Sequence, residues 1–289
     1  MKKRKKTMFI VIPVILLLII CYGSLSLYLS TNGLAVREFE IDLDTGGEEV
    51  RAVVISDLHD HEFGEKNEKL VQKIKEQNPD LILMDGDMLN RGSEDASVPL
   101  ELITALADTA PIYYAMGNHE FGYIGNGHPE LPRELESAGA AVLEERYVDL
   151  EVNGVSIRLG GMYDYAFGTN GDNEASAAPV YIREFLEDYQ NTDRLKIMLS
   201  HRPDSFIFGD ASEVWDVDLV ISGHNHGGQV VIPFIGGLYG GDQGWFPEYI
   251  HGLYEKGRIQ MFVTSGLGSD EQKLPRFNNL PEIAVLLIR

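Results

Sequence analysis

RAVVISDLH, residues 51–59, is the stretch on which the fold turns. Arg51 to Ser56 is a short, largely β-branched run that stops at Asp57, and such a run reads as a buried strand. Four later segments repeat the pattern: LILMDGD at 81–87, IYYAMGNH at 112–119, KIMLSH at 196–201 and DLVISGHNH at 218–226. Each apolar run ends on a side chain able to bind metal or move a proton. These are Asp57 and His59, then Asp87, then Asn118 and His119, then His201, then His224 and His226. Between the runs, Glu65 to Gln77 sets Leu70, Val71 and Ile74 on one helical face, and Val98 to Ala107 and Tyr181 to Tyr189 also read as helices. Strands alternating with helices predict an α/β sheet, and the C-terminal strand edge is where such sheets assemble their sites.

The second half adds antiparallel pairs. Tyr147 to Val152 and Val155 to Gly160 flank Asn153-Gly154, and Tyr249 to Tyr254 and Ile259 to Thr264 flank Lys256-Gly257. Both dipeptides are hairpin signals. Glu282 to Ile288 closes the chain as a strand, and Gly236 to Gly244, with five glycines in nine residues, reads as a mobile loop.

Composition narrows the function. With 289 residues there is room for one large α/β domain, and with 24 Lys and Arg against 45 Asp and Glu the net charge is -21. That sign argues against tracking a nucleic-acid backbone. A single cysteine, Cys21, excludes an intramolecular disulfide, a thiolate zinc cluster and a CxxC redox pair. Any metal must sit on His, Asp, Asn or Glu.

The charge is unevenly placed. Lys2, Lys3, Arg4, Lys5 and Lys6 hold five of the 24 positive charges, so the remainder carries 19 against 45, a net of -26. Next come 22 residues without a charge, Met8 to Leu29, which as a helix span about 33 Å, enough to cross a bilayer. The basic residues ahead of the run predict a cytoplasmic N-terminus, a single-pass cell-membrane anchor and a catalytic body on the extracytoplasmic side. A cleaved signal peptide is the competing reading, but its apolar region runs roughly 7 to 15 residues before a small-residue cleavage site. This run is longer, and no A-x-A follows it. The expected organisation is a basic tip at 1–7, a span at 8–29, a linker at 30–37 and one domain at 38–289.

Seven candidate ligands, Asp57, His59, Asp87, Asn118, His201, His224 and His226, suffice for two ions and exceed one tetrahedral site. Oxygen and imidazole donors suit Mn, Fe or Zn. The motifs Asp57-Leu58-His59, Gly86-Asp87-Met88-Leu89-Asn90, Gly117-Asn118-His119-Glu120, Ser200-His201 and Gly223-His224-Asn225-His226 occur in this order across the body. In them the chain resembles the calcineurin-like metallophosphoesterases. GHNHGGQVVIP at 223–233, with Gly266-Leu267-Gly268 and Leu274 to Asn278, is closer to the membrane-associated phosphodiesterase branch, the bacterial YaeI and YkuE type. That branch is similar to hydrolases of UDP-diacylglucosamine.

The resemblance implies a four-layer α/β/β/α sandwich with a dimetal site at the strand ends. One ion would lie on Asp57, His59, Asp87 and His226, the other on Asp87, Asn118, His201 and His224. Two ions can acidify a bridging water, whose hydroxide attacks phosphorus in line with the leaving oxygen. His119 and Asp87 are the expected catalytic residues, His119 serving the leaving group. In the phosphoprotein phosphatases of this superfamily the second motif reads GDxxD, its last Asp supporting the catalytic histidine; here that position is Asn90. An amide cannot neutralise an imidazolium, which favours good leaving groups such as diesters or pyrophosphates.

Asn90, Asp164, Arg202 and Arg276 are the candidate substrate contacts, the arginines because guanidinium fits phosphate bidentately. Glu120 is expected to orient the histidine or the backbone, whereas His61, His128 and His251 are expected to be structural or surface residues. The function expected is a membrane-anchored dimetal phosphodiesterase or pyrophosphohydrolase acting on a phosphate ester that is lipid-linked or nucleotide-linked. A phosphoprotein or small-molecule phosphomonoesterase is the enzymatic alternative, and a metal-binding cell-envelope interaction protein the non-enzymatic one.

Overall fold

The computed structural model describes residues 2–169, 171, 173–269 and 274–289, with side chains from Val11 onward. The chain enters through a long helix, α1 (Lys2–Asn32), which continues through Pro13. Its stretch Val11–Asn32 is long and apolar enough to cross a membrane. Strand β1 (Ala35–Ile41) follows almost at once, so the linker expected over 30–37 shrinks to Gly33 and Leu34. The helix persists there because its polar residues find partners on the body: the Ser26 hydroxyl donates to Asn278 Oδ1 at 2.7 Å, and Asn279 N donates to Ser30 Oγ at 3.1 Å.

The body then alternates as the sequence predicts. In order come β2 (Val50–Ile55), α2 (Glu68–Glu76), β3 (Leu81–Asp85), α3 (Ser97–Leu106), β4 (Ile112–Ala115), α4 (Asn118–Gly125), α5 (Leu131–Ala138) and β5 (Ala140–Val142). The hairpin β6 (Arg146–Val152) and β7 (Val155–Met162) turns at Asn153-Gly154, followed by α6 (Val180–Tyr189), β8 (Leu195–Ser200), α7 (Ala211–Val214) and β9 (Leu219–Ser222). Two short hairpins, β10 (Val231–Ile232) with β11 (Gly236–Gly237) and β12 (Tyr239–Gly240) with β13 (Gly244–Trp245), precede β14 (Gly252–Lys256), β15 (Ile259–Val263) and β16 (Glu282–Ile288).

Among the described residues there are two six-stranded sheets, ordered β1-β16-β2-β3-β4-β5 and β14-β15-β9-β8-β7-β6. The period of two along each strand decides what each face meets. In β2, Val50, Ala52 and Val54 point to the space between the sheets, where they join Leu83, Leu286, Leu159, Leu199, Ile221 and Phe262. Val53 and Ile55 point the other way, into a core with Leu70 and Ile74 of α2, Ile103 and Leu106 of α3 and Leu135 of α5. On the far side of the second sheet, Met198, Val220 and Met261 pack on Ile182, Phe185 and Leu186 of α6. The result is an α/β/β/α sandwich. Because both faces of the central strands are buried, those strands read in sequence as continuous apolar runs.

In the first sheet β2, β3, β4 and β5 are parallel, and in the second β7, β8, β9 and β15 are parallel. The loops after β2, β3, β4, β8 and β9 carry every candidate ligand. β16 inserts between β1 and β2, antiparallel to β2 and parallel to β1.

Candidate metal centre

The candidate ligand loops after β2, β3 and β9 turn sharply directly after their strands. Asp57, His59, Asp87, His224 and His226 all have positive φ, between 46° and 65°. For non-glycine residues this conformation costs on the order of 1 kcal/mol each, and it persists only where the surroundings over-determine it. Here the loops interlock. Asp57 N donates to Gly86 O and His59 N to Asp87 O, each at 3.0 Å, while His224 N donates to Asp57 Oδ1 at 3.1 Å. Gly86, at φ 74°, lies so close to its neighbours that a Cβ would stand 2.6 Å from Gly117 N and 2.7 Å from His201 Nδ1.

Asp87 is the centre of the arrangement. Its Oδ2 lies 3.2 Å from His201 Nε2, 3.8 Å from His59 Nε2 and 4.0 Å from His119 Nε2, and its Oδ1 accepts the His119 backbone N–H at 2.8 Å. On one side Asp57 Oδ1 is 3.6 Å from His226 Nε2, and on the other His201 and His224 share a cluster with Asp87. Three groups result, Asp57–His59–His226, His59–Asp87–His119 and Asp87–His201–His224, and within each the potential donor atoms lie within 4.8 Å of one another. Every one of these side chains is buried.

The donors fit a divalent cation. His59 Nδ1 is 2.9 Å from Asn90 Oδ1, His201 Nδ1 is 2.6 Å from Asp85 O and His226 Nδ1 is 3.3 Å from Gly268 O. An outer oxygen on Nδ1 turns each Nε2 inward as a lone-pair donor, the arrangement that metal-ligating histidines use. His59 Nε2, His201 Nε2, both ring nitrogens of His224 and Asn118 Oδ1 are buried with no hydrogen-bond partner among the described residues. Buried polar atoms are costly when unpaired, so these atoms, gathered around the Asp57 and Asp87 carboxylates, mark a place for a cation. Burial alone would lower the His201 pKa, yet Asp87, helped by Asp57 and Asp85, overturns that and pushes it up to about 10. That rise measures the negative potential gathered here.

Glu120 ties two of the loops together. Its carboxylate accepts from the backbone N–H groups of Asp87, Met88 and Gly117, all at 2.8 Å, and from the Tyr114 hydroxyl at 2.6 Å. The sequence assigned Glu120 to the histidine or the backbone, and its contacts are with the backbone. Each oxygen takes two donors, which Gln cannot reproduce because its NH₂ end would face two of them. Glu120→Gln is expected to destabilise the chain by about 1–3 kcal/mol, the cost of facing the Met88 N–H with an NH₂ group while the Tyr114 hydroxyl turns to accept, read as a lower urea midpoint. An unchanged midpoint would show that these bonds do not hold the turns.

The calcineurin-like phosphoesterase model matches residues 50–228, from β2 through the last ligand loop. The chain belongs to that family. It is a metal-dependent phosphoester hydrolase. A Campylobacter jejuni metallophosphoesterase is 29% identical over 276 residues, covering 93% of this chain and 68% of its own. The Escherichia coli phosphodiesterase YaeI is 31% identical over 213 residues, 73% of this chain and 71% of its own. Bacillus subtilis YkuE is 29% identical over 247 residues, 83% and 79% respectively. These relatives place the phosphoesterase in the branch that its GHNHGG run resembles.

The four candidate substrate contacts of this phosphoesterase fare differently. Asn90 does not support His119, as the GDxxD comparison suggested. Its Oδ1 meets His59, and its Nδ2 donates to His59 O and Asp60 Oδ2, both at 3.0 Å. His119 Nδ1 instead accepts the Arg91 backbone N–H at 3.1 Å. Arg276 is withdrawn from any substrate: it is buried, and its guanidinium donates to the backbone oxygens of Ser265, Gly268, Asn279 and Leu280 and to Asn279 Oδ1. Carbonyls from two neighbouring segments, 265–268 and 279–280, satisfy its planar fork of donors in place of solvent. Arg202 stays at the site, next to His201, its guanidinium 4.1 Å above the Tyr163 ring and 3.5 Å from Asp242 Oδ2.

Asp164 turns toward other carboxylates, accepting the Tyr181 hydroxyl and facing Glu144 and Glu145. Burial, reinforced by neighbouring carboxylates, raises both glutamates from 4.5 to about 7. A raised folded pKa means that the unfolded chain releases these protons first. Stability is therefore full below pH 4.5 and declines as the pH climbs through about 7. The double variant Glu144→Gln/Glu145→Gln should flatten thermal melting points across that window, and an unchanged slope would contradict this.

Among the remaining histidines, His128 stacks on Tyr123 and His251 meets Glu282, whereas His61 lines the cavity beside the site. Asp242 was missed. It lies in the glycine-rich run, 3.6 Å from His224 Nε2, and accepts the Tyr165 hydroxyl at 2.8 Å. Its carboxyl is held far below the usual range, first by His224. As the one charged residue of Gly236 to Gly244, it was the available signal.

Proposed function

We propose that this chain is a membrane-anchored dimetal phosphodiesterase or pyrophosphohydrolase whose substrate is lipid-linked or nucleotide-lipid in kind. The observation that carries the reading is Asp87, one carboxylate within 4.0 Å of three inward-facing histidine nitrogens, with a ligand cluster on either side. Asp57, His59, Asp87 and His226 would hold one ion, and Asp87, Asn118, His201 and His224 a second. Divalent ions bound there supply Lewis acidity, which acidifies water and draws charge from a phosphoryl oxygen.

The chain's own groups do the rest. Because His119 Nδ1 accepts a backbone N–H, the ring proton sits on Nε2, ready to be offered to the leaving oxygen. The Arg202 guanidinium, stacked on Tyr163, is pre-oriented for a phosphate oxygen. Beside His59 and His119 a cavity of 530 Å³, with Asn90, Arg91 and Ser269 in its wall, has room for a headgroup. The phosphodiesterase named among the relatives supports the same reaction class. The apolar helix and its basic flank support an anchor with the N-terminus cytoplasmic and the catalytic body outside.

The test is the full chain in detergent, assayed with Mn on bis-p-nitrophenyl phosphate and p-nitrophenyl phosphate, then on lipid-linked diphosphates. Metal-dependent turnover that prefers diester or pyrophosphate supports the reading, and preference for the monoester overturns it in favour of a phosphomonoesterase. Protease added to intact cells should remove the body, and full protection would reverse the orientation.

A further inference from the structure

We infer that the two short hairpins, β10–β11 and β12–β13, form a second membrane contact that seats the metal centre on the bilayer surface; this deepens the proposed anchor and rests on it. Phe234 and Ile235 at the first hairpin's tip, and Trp245 at the end of β13 with Phe246 directly after it, are exposed, with Phe234 at 109% of its reference area. Large apolar side chains clustered this way on one face mark an interaction surface.

The anchor helix decides what covers them. Tyr22 donates its hydroxyl to Asn278 Oδ1 at 2.7 Å, and its ring meets Phe277 edge-on. The same Asn278 donates to Val231 O, and Val231 N donates to Phe277 O, so β10 is stitched to the segment that grips Tyr22. The second hairpin joins through Leu238, whose N–H reaches Val230 O and whose carbonyl accepts from Phe246 N. Tip, helix and tail are therefore one surface.

Helix length then sets the depth. From Thr7 to Cys21, between the basic tip and Tyr22, is about 22 Å of helix, whereas the hydrocarbon core is about 30 Å thick. A helix that keeps its basic end among headgroups therefore draws Tyr22, and whatever touches it, to the opposite membrane surface or below it. The hairpins lie at that level, and exposed Phe, Ile and Trp are the residues that an interface accommodates. Val230 is only four residues past His226, so the platform leads straight into the ligand loop. Bilayer immersion brings the metal centre to the depth of lipid phosphates.

The experiment uses the full chain reconstituted into equimolar phosphatidylcholine and phosphatidylglycerol vesicles whose phosphatidylcholine is brominated near the headgroup end of its acyl chains. The chain has two tryptophans, and Trp215 is buried in the protein core, so lipid quenching reports on Trp245. Emission should fall by up to half in brominated vesicles relative to plain ones. Quenching should vanish in Trp245→Phe, and in Phe234→Asp/Ile235→Asp while that variant still floats with the vesicles. Flotation with Trp245 untouched by bromolipid but open to aqueous iodide overturns the docking and leaves the anchor standing. Emission that neither quencher reaches would mean a second copy covers the patch, which also overturns it. Loss of the wild-type chain from the vesicles overturns the anchor and the docking together.

Discussion

Asp87→Asn will reduce metal-dependent diester hydrolysis by at least about 10³-fold, because the Lewis-acid contribution at stake is several kcal/mol and each 1.36 kcal/mol is a decade. The substitution keeps the side chain's shape and an oxygen for the His119 backbone N–H, but it removes the charge and leaves one carbonyl where two anionic oxygens stood. His201, His59 and His119 would then surround an uncharged amide, and the proposed ligand shared by the two ions would be lost. Metal should also cease to raise the melting temperature of the variant, whereas it stabilises the wild type by mass action. Activity within tenfold of wild type would remove Asp87 from the centre of the account.

His119→Ala should lower kcat by about 10²–10⁴-fold on diesters with alkyl leaving groups, the usual range for a positioned acid. On p-nitrophenyl esters, whose leaving group departs without a proton, the loss should be about tenfold or less. Metal content should not change, since His119 is assigned to the leaving oxygen. Equal losses on both substrates, or a lost ion, would make His119 a ligand or a structural residue.

The clustered Asp and His residues of the candidate site were legible because each is local to its strand. Each residue follows its strand within a few positions, so apolar run plus polar stop identifies Asp57, Asp87, Asn118, His201 and His224 without knowledge of what packs where. What the motifs could not convey is partnership across the sheet. Asn90 looked like the support of His119, yet the Asp57–His59 turn comes closer, and the amide meets His59 Nδ1. His119 Nδ1 takes the Arg91 backbone N–H in its place. Arg276 looked like a phosphate contact because its role depends on carbonyls from the segments on either side of it, Ser265 and Gly268 before it and Asn279 and Leu280 after it.

The glycines of 236–244 misled in another way. Read as mobility, three of the five are needed for close approach: a Cβ on Gly241 would collide with the His224 ring, one on Gly240 would stand 2.8 Å from Pro247 Cγ, and one on Gly237 would stand 2.7 Å from Gly228 Cα. Glycine there lets the hairpin backbone lie on a ligand histidine and bring Asp242 to it. α4 and α5 and the place of β16 between β1 and β2 were not read either. α4 begins inside the GNHE motif and contains two glycines, and strand order depends on contacts between opposite ends of the chain.

Mn(II) titration of the metal-stripped full chain, followed by electron paramagnetic resonance, distinguishes two ions sharing Asp87 from a single bound ion. Two ions sharing Asp87 predict uptake of two equivalents and an exchange-coupled signal, both lost in Asp87→Asn. Saturation at one equivalent, with only the spectrum of an isolated ion, would contradict it.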